Sequence, residues 1–314
     1  MTDQRSHAPG SIQVSLGLRP AFHPSPDLYP FKSRWFRSSV GMVHYIDEGE
    51  GRPLLLLHGN PTWSFLYREI VRELRGTFRC IAPDYPGFGL SERPPGYTYS
   101  PAEQAGIVRE LVEHLNLKSL VVMGQDWGGP IGMAVASAMP DRIAGLVFGN
   151  TWCWPTDRRF NRLFSHAMSS RLGRWAILRR NVFVERLIPA GTTRKLTADE
   201  MDHYRRAQPT PEYRLGIAEF PRQLIRASTW LQETQEAAVG RLIGTPLLLT
   251  WGMKDPAFSP AWCLPRWKQL FPDHELVELP EARHYIQEDA PWDIAAAIAR
   301  KFAQEPTGSH SQEA

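Results

Sequence analysis

The stretch from Val121 to Gly129 constrains the fold of this chain more than any other part of the sequence. A β-branched, apolar run ends at Gly124, turns at Asp126 and restarts as a helix at Gly128. The spacing Gly124-x-Asp126-x-Gly128 is typical of a strand-turn-helix elbow, in which small residues flank a side chain held above a sheet. The elbow therefore predicts a sheet with Asp126 projecting from the end of one of its strands.

Strand and helix signals alternate on both sides of this elbow. Apolar runs predict eight strands, at 34–39, 42–47, 53–57, 78–83, 119–123, 143–148, 246–251 and 274–279. Helical spacing predicts helices at 64–74, 101–116, 128–139, 261–271 and 292–302. Strands joined through helices form right-handed crossovers, so we expect an α/β fold with a mostly parallel eight-stranded sheet and helices on both faces.

The alternation stops after residue 150. Residues 151–230 are helical, aromatic and rich in arginine, with no clear strand. We expect a helical cap inserted after the strand at 143–148, which follows the elbow helix at 128–139, and lying above the carboxyl ends of the strands, where ligands bind in open α/β sheets. The core domain then comprises 1–150 and 231–314, with an irregular N-terminal arm at 1–31 and a flexible tail at 305–314.

Composition excludes several classes of protein. A net charge of +3 on 314 residues is too small to indicate nucleic-acid binding. No run approaches the ~18–20 apolar residues of a membrane span, so we expect no membrane partner. The N terminus has no apolar signal core, and the three cysteines have neither metal-binding nor disulfide spacing. These features predict a cytoplasmic protein with reduced thiols and no bound metal.

The predicted cap is strongly basic. Residues 153–228 contain 15 arginines and lysines against 7 acidic residues, a net charge of +8. This charge is consistent with a solvated outer face, with attraction of anions to the mouth of a site, or with a self-association surface. A homo-oligomer therefore remains open.

An aspartate at the elbow indicates displacement at a saturated carbon. A serine attacking such a carbon would form an ether, which cannot be hydrolysed, whereas Asp126 would form an ester that water can cleave. The leaving group could be a halide or the oxygen of an opened epoxide. The alternative is an aspartate that caps the following helix.

The base that activates water is predicted at His284, in the loop after the last strand, since this fold orders nucleophile, acid and histidine along the chain. His58 is the rival base, although its position favours support of the neighbouring loop. Asp255 follows a strand directly and is the expected acid partner, because the alternative acid position carries Asn150. A turn or cap role is the other interpretation of Asp255.

A departing anion needs hydrogen-bond donors aimed at it before the reaction begins. Trp127 and Asn60 carry N–H groups that donate without transferring a proton. Trp127 follows the predicted nucleophile directly, and Asn60 lies in the loop after a neighbouring strand, so we expect them to donate from two sides. Their backbone N–H groups would also form the oxyanion hole for ester hydrolysis. Core packing for Trp127 and an Asx turn before Pro61 are the structural alternatives.

Four segments together resemble the haloalkane dehalogenases of the α/β-hydrolase fold. The segments are His58–Trp63, Asp84–Ser91, Gly124–Gly129 and His284–Asp289, and the resemblance covers nearly all of residues 30–303. It implies hydrolysis of a small apolar halogenated substrate to a primary alcohol, a halide and a proton through an alkyl-aspartate, without a cofactor.

One branch of that family, the third, combines an acid after the later strand with asparagine and tryptophan as halide donors. The pattern Asp255, Asn60 and Trp127 is similar to this branch, as are the segments 181–189 and 219–222. The resemblance implies contacts of Pro221 and Phe183 with the halide side of the pocket. It also implies larger assemblies.

Two other functions remain open. An epoxide hydrolase uses the same aspartate elbow but needs cap tyrosines to protonate the ring oxygen, for which Tyr204 and Tyr213 are available. A ligand-binding relative with vestigial activity is the second. Halide release, epoxide hydrolysis and trapping of an alkyl-enzyme adduct distinguish the three.

Overall fold

A computed structural model of the protein describes residues 17–156 and 158–303. Residues 1–16 of the expected N-terminal arm and the expected flexible tail at 305–314 lie outside these described residues. The strands of a single sheet are β1 Arg34–Arg37, β2 Met42–Glu48, β3 Arg52–Leu57, β4 Phe78–Pro83, β5 Leu120–Gln125, β6 Ile143–Gly149, β7 Leu247–Gly252 and β8 His274–Leu279. Their order in the sheet is β1-β2-β4-β3-β5-β6-β7-β8. Pairing is antiparallel from β1 through β2 to β4 and parallel elsewhere, which confirms the mostly parallel eight-stranded sheet.

Helices cover both faces of the sheet and the segment between β6 and β7. Those of the sheet layers are α1 Arg68–Leu74, α2 Pro101–His114, α3 Gly128–Ala138, α9 Ser228–Leu242, α10 Pro260–Leu270, α11 Ile286–Asp289 and α12 Pro291–Phe302. Those between β6 and β7 are α4 Arg159–Ser169, α5 Arg171–Arg180, α6 Ile188–Ala190, α7 Ala198–Arg206 and α8 Leu215–Arg226. A π-helical turn at Phe183–Leu187 precedes α6, and 3-10 turns occupy Ser64–Tyr67, Pro140–Arg142 and Pro211–Arg214.

The hydrophobic core lies on both sides of the sheet because the central strands are buried on both faces. In β3, Leu55 and Leu57 belong to one apolar cluster and Leu54 and Leu56 to the other. Successive side chains of a strand point to opposite faces, so a continuous apolar run is the expected pattern for such a strand. Helices α1 and α12 pack on one face and α2, α3 and α9 on the other.

Several boundaries differ from the sequence expectation. Strand β5 extends to Gln125, two residues beyond the predicted end, because Gly124 and Gln125 still pair with Phe148 and Gly149 of β6. The helix expected at 64–74 is a 3-10 turn followed by α1. The boundary expected between residues 230 and 231 falls inside α9.

The N-terminal arm and the cysteines complete the packing. From residue 17 the arm is irregular, as expected, and it buries Phe22 and Tyr29 against the α1 side of the sheet. Cys80, Cys153 and Cys263 are buried and unpaired with one another.

No helix in the two described ranges is both long enough and apolar enough to cross a bilayer.

Candidate active site

The elbow places Asp126 between the end of β5 and the start of α3. Its backbone φ is +51°, in the left-handed region that few residues other than glycine adopt. A Cβ on Gly124 would lie 2.2 Å from the carbonyl oxygen of Gly128, and one on Gly128 would lie 1.9 Å from that of Leu57. Side chains at these two positions would therefore prevent the close strand–helix approach on which the turn depends.

The two carboxylate oxygens of Asp126 face different partners. Oδ1 accepts a hydrogen bond from the backbone N–H of Asn60 at 2.8 Å, and the backbone N–H of Trp127 also donates to the carboxylate. Oδ2 lies 3.8 Å from Nε2 of His284. Oδ1 is thus held by a backbone donor, while Oδ2 faces the imidazole across a distance too long for a direct hydrogen bond.

His284 is hydrogen-bonded to Asp255, and Asn150 contacts the same carboxylate. His284 Nδ1 lies 2.9 Å from Oδ2 of Asp255, whose side chain is buried. Asn150 donates from Nδ2 to the same oxygen at 2.8 Å, and the backbone N–H of Ala257 donates to Oδ1 at 2.7 Å. Asp255 is therefore fixed by three donors, and its Oδ2 orients the imidazole so that Nε2 faces Asp126.

Burial and charge act against each other at these three groups. Burial lowers the pKa of His284, but the charge and hydrogen bond of Asp255, together with the charge of Asp126, raise it above its ordinary value overall. Burial raises the pKa of Asp255, yet the charge and hydrogen bond of His284, with the bonds from Asn150 and Ala257, hold it below its ordinary value. For Asp126 burial dominates and the pKa is raised, despite the charge of His284 and the backbone donors.

Gln125 is a further polar contact of His284 that the sequence did not indicate. Its Nε2 lies 3.1 Å from Nε2 of His284 and donates to the carbonyl oxygen of His284 at 3.0 Å. An amide N–H facing Nε2 requires a lone pair on that nitrogen, which matches a neutral imidazole with its proton on Nδ1. Gln125 precedes the apex at the strand end, and that position was its one sequence signal.

The side chains of Asn60 and Trp127 both line the cavity above Asp126. Asn60 Nδ2 donates one of its two hydrogens to the carbonyl oxygen of Ile217 at 3.3 Å. The indole ring of Trp127 packs edge-on against Trp152, with ring centres 4.8 Å apart, and packs tilted against Phe220, with ring centres 5.1 Å apart. These contacts fix the plane in which the indole N–H can donate.

His58, the rival candidate for the base, is buried and hydrogen-bonded to the backbone on both ring nitrogens. It is fully buried, its Nδ1 bonds to the carbonyl oxygen of Gly59 at 2.9 Å, and its Nε2 accepts from the backbone N–H of Tyr85 at 3.3 Å. Burial lowers the pKa of His58 to about 4, although the charge of Asp84 and the bond to Gly59 oppose this shift. A neutral histidine with both nitrogens occupied supports the loop after β3, in agreement with the sequence interpretation.

The cavity has a volume of about 250 Å³ and mostly apolar walls. Phe183 and Pro221 are among its lining residues, as are Phe160, which the sequence did not single out, and the triad candidates. The volume lies below the ~300–1,000 Å³ of common ligand pockets, so a small apolar molecule fits.

Neither cap tyrosine named for the epoxide reaction lines this cavity. Tyr204 is fully buried away from the cavity and donates its hydroxyl hydrogen to Glu288. Tyr213 donates its hydroxyl hydrogen to the carbonyl oxygen of Arg19 at 2.9 Å. These two residues therefore do not supply the ring-oxygen proton donors that an epoxide hydrolase would need.

Comparison with known proteins agrees with the fold and the elbow. The model of the alpha/beta hydrolase fold family matches residues 52–291, and the chain belongs to this family. Haloalkane dehalogenase 2 of Mycobacterium tuberculosis is 56% identical over 281 residues, which are 90% of this chain and 98% of that protein. Within the fold family the chain is therefore a member of the haloalkane dehalogenases, which are hydrolases, and the resemblance drawn from the four segments is confirmed.

Two more distant relatives show how widely the architecture is shared. The crystal structure of haloalkane dehalogenase DbeA from Bradyrhizobium elkani has a TM-score of 0.77 at 28% identity, covering 86% of this chain and 97% of that one. A cis-3-alkyl-4-alkyloxetan-2-one decarboxylase from Shewanella oneidensis is 30% identical over 294 residues, covering 89% of this chain and 91% of that protein.

Proposed function

We propose that the protein hydrolyses small haloalkanes in two steps through a covalent ester of Asp126. Oδ2 attacks the carbon that bears the halogen, in line with the departing halide, and the halide is received by the Asn60 amide and the Trp127 indole. His284 then takes a proton from water as the water attacks Cγ of the ester. The products are an alcohol, a halide ion and a proton, and Asp126 is restored.

The different environments of the two Asp126 oxygens carry this proposal. Oδ1, at 2.8 Å from the Asn60 N–H, would become the ester carbonyl oxygen, and in the second step it takes on negative charge. The Asn60 backbone donor that holds Oδ1 in the free enzyme then belongs to the oxyanion hole, with no reorganisation. The 3.8 Å between Oδ2 and His284 Nε2 excludes a direct bond and leaves the base aimed at water near Cγ.

The charge state of His284 fits the second step. Asp255 stabilises the imidazolium that forms when His284 accepts the water proton, in line with the raised pKa of His284. Since the Asp126 carboxylate is buried and its pKa is raised, its anion is less stabilised than an exposed one and more reactive towards carbon. Phe183 and Pro221, which line the cavity, are the proposed apolar contacts on the halide side.

A single turnover in ¹⁸O-labelled water tests the covalent step. With enzyme in excess over a bromoalkane, the label should enter the carboxylate of Asp126, and the first alcohol should carry unlabelled oxygen from that carboxylate. Mass spectrometry of the peptide that contains Asp126 reads the result. Label in the first alcohol and none in Asp126 would show that water attacks the substrate directly.

Two variants separate the steps. Asp126→Asn should release no halide. The matched control makes the same substitution at an exposed residue, Asp141→Asn, and should release halide normally. His284→Phe should give one burst of halide and an alkyl adduct on Asp126, with His114→Phe, exposed on α2, as its control. Full turnover by Asp126→Asn without deamidation contradicts the proposal, and the lack of any adduct across a panel of haloalkanes favours a ligand-binding role.

The oxetanone decarboxylase relative supports a second candidate substrate class. Its 30% identity over most of this chain makes strained lactone rings, whose carboxylate can leave without protonation, the alternative electrophile for Asp126. We therefore include a cis-3,4-dialkyloxetan-2-one beside bromoalkanes, chloroalkanes and styrene oxide in the panel. After Asp126 opens such a ring at the alkyl carbon, loss of CO₂ as the bond to Asp126 breaks would leave an alkene and restore the carboxylate. Release of CO₂ and alkene faster than release of any halide would reassign the substrate.

A further inference from the structure

Two neighbouring helices of the cap expose large apolar side chains. On α4, Phe160 is 53% exposed and Leu163 is 70% exposed, and on α5 Leu172 is 74% exposed and Trp175 is 49% exposed. Within each helix the two residues are three positions apart, so they share one face. Exposed aromatic and leucine side chains clustered in this way mark a binding surface more often than a solvated one.

The same faces are basic. From Arg158 to Val184 the sequence has seven arginines and no aspartate or glutamate. Five of these arginines are exposed on the two helices: Arg159, Arg162, Arg171, Arg179 and Arg180. Within the described part of the chain, the carboxylate that pairs with an arginine of residues 158–184 is Glu219 of α8, which contacts Arg174. Glu219 also contacts Arg222 of its own helix. Arg180 lies over the ring of Trp175, 5.6 Å from its centre, so cation and aromatic ring are presented together.

The two exposed faces are adjacent and reach the cavity. Ser170 ends α4 and caps α5, and both helices pack on α8, so the turn between them is tight. A Cβ on Gly173 would lie 2.2 Å from the carbonyl oxygen of Ala167, which keeps the two helices close. Phe160 is both exposed and a lining residue of the cavity, and it therefore lies at the cavity opening.

We propose that this surface, the exposed face of α4 and α5, docks on an anionic lipid bilayer. Helices with arginines beside tryptophan, phenylalanine and leucine insert their apolar side chains at the headgroup boundary while the arginines contact anionic headgroups. Surface binding of this kind requires no membrane-spanning helix.

Charge favours a bilayer over a second copy of the chain as the occupant. A symmetric contact places the same surface on both partners, so arginines would face arginines with no carboxylate from residues 158–184 to neutralise them. An anionic bilayer offers the opposite charge and an apolar interior. Docked in this way, the cavity opening faces lipid, where apolar haloalkanes dissolve; that consequence rests on the proposed function, whereas the docking does not.

Vesicle flotation with the full-length protein tests the docking without any turnover. We expect the protein to float with vesicles of phosphatidylcholine and phosphatidylglycerol at low salt, and not with phosphatidylcholine alone. Arg162→Gln/Arg171→Gln should weaken binding about 25-fold, at about fivefold for each arginine near the surface. Molar salt should release the protein, since the screening length falls to about 3 Å.

The apolar contribution is tested separately. Leu172→Gln/Trp175→Gln should weaken binding to the anionic vesicles at least about tenfold, because each side chain would lose burial in lipid. The matched control is Ile243→Gln/Trp292→Gln, which removes residues 61% and 63% exposed outside the cap and should leave binding unchanged. Thermal melting of every variant verifies folding.

Several results would overturn the proposal. Equal binding to neutral vesicles, an equal loss in the control variant, or binding that depends on the arginines but not on Leu172 and Trp175 would each exclude the insertion that we propose. If the wild type binds no vesicles and is an oligomer that Leu172→Gln/Trp175→Gln makes monomeric, a second copy covers the surface instead.

Discussion

Arg68 is the centre of a buried charge cluster, and its replacement is the sharpest test of how the histidine loop is held. Its side chain, 1% exposed at the start of α1, donates to both carboxylate oxygens of Glu288 at 2.6 and 2.8 Å. It also donates to Glu200 of α7 at 2.7 Å. Arg194 contacts both glutamates, and the hydroxyl of Tyr204 donates to Glu288. Glu288 lies four residues after His284, so the cluster anchors the loop that carries the proposed base.

The variant Arg68→Met removes one cation and three charge-assisted hydrogen bonds while nearly preserving the buried volume. Removing one partner of a buried ion pair typically costs ~3–5 kcal/mol, because the other charge is stranded. Arg194 still contacts Glu288, so we expect the lower end, about 3 kcal/mol. At ~2–4 °C per kcal/mol, typical of domains somewhat smaller than this one, the Tm should fall by roughly 6–12 °C.

Urea unfolding of a double-mutant cycle measures this cost. In Arg68→Met/Glu288→Gln the stranded carboxylate is gone, so we expect about 2 kcal/mol less destabilisation than the sum of the two single variants. Arg75→Met, exposed at the end of the same helix, is the matched control and should change stability by less than about 0.5 kcal/mol. If Arg68→Met is as stable as the control, or if the cycle shows no coupling, the cluster does not anchor the loop.

Three further predictions concern the proposed reaction. Gln125→Leu removes both hydrogen bonds to His284, so ester hydrolysis should slow by about tenfold while the halide burst is unchanged, as measured by rapid-mixing kinetics. Trp127→Phe removes the indole donor, and kcat/KM for chloroalkanes should fall at least about 100-fold; a loss below tenfold would contradict halide donation. Ester hydrolysis needs neutral His284, so its rate should fall as the pH drops through a pKa raised above 6.5, followed in single turnovers. Asp255→Asn removes the charge that most raises this pKa, so the acid limb should move to lower pH; an unmoved limb would contradict the assignment.

The sheet could be predicted from the sequence because burial on two faces leaves a local pattern. The leucines of β3 belong to both apolar clusters, so each of these positions is buried and carries an apolar residue. The elbow was equally local, since the two glycines are required by contacts that the turn itself creates. The positions of Asp255 and Asn150 followed from strand order, because parallel strands end at one edge of the sheet.

Polar contacts between segments that are far apart in the chain leave no local pattern in the sequence. Arg68 and Glu288 are 220 residues apart, and nothing near either residue predicts that they meet. Gln125 and His284 are 159 residues apart, and a glutamine at a strand end is unremarkable until the loop of His284 is placed against it. The π-helical turn at Phe183–Leu187 was also missed, since it differs from an α-helix by backbone hydrogen bonds and not by burial period.

The proposed triad is divided between two parts of the molecule, and this division separates its two chemical steps. Asp126 lies at the end of β5, and its Oδ1 is held by the backbone N–H of Asn60 in the loop after β3, so the position of the nucleophile depends on the sheet. The loop of His284 is bonded to the segment before α7: the N–H of Tyr285 donates to the carbonyl oxygen of Gly191 at 3.0 Å.

The same attachment continues along the loop, where Asp289 accepts from the backbone N–H of Thr193 at 2.8 Å and Arg194 Nε donates to the carbonyl oxygen of Glu288 at 2.7 Å. A displacement of that segment would therefore move the base but not the nucleophile. It follows that damage at this joint, as in Arg68→Met, should slow ester hydrolysis more than halide release. The burst should then grow relative to the steady rate, which distinguishes a shifted base from a general loss of folded enzyme.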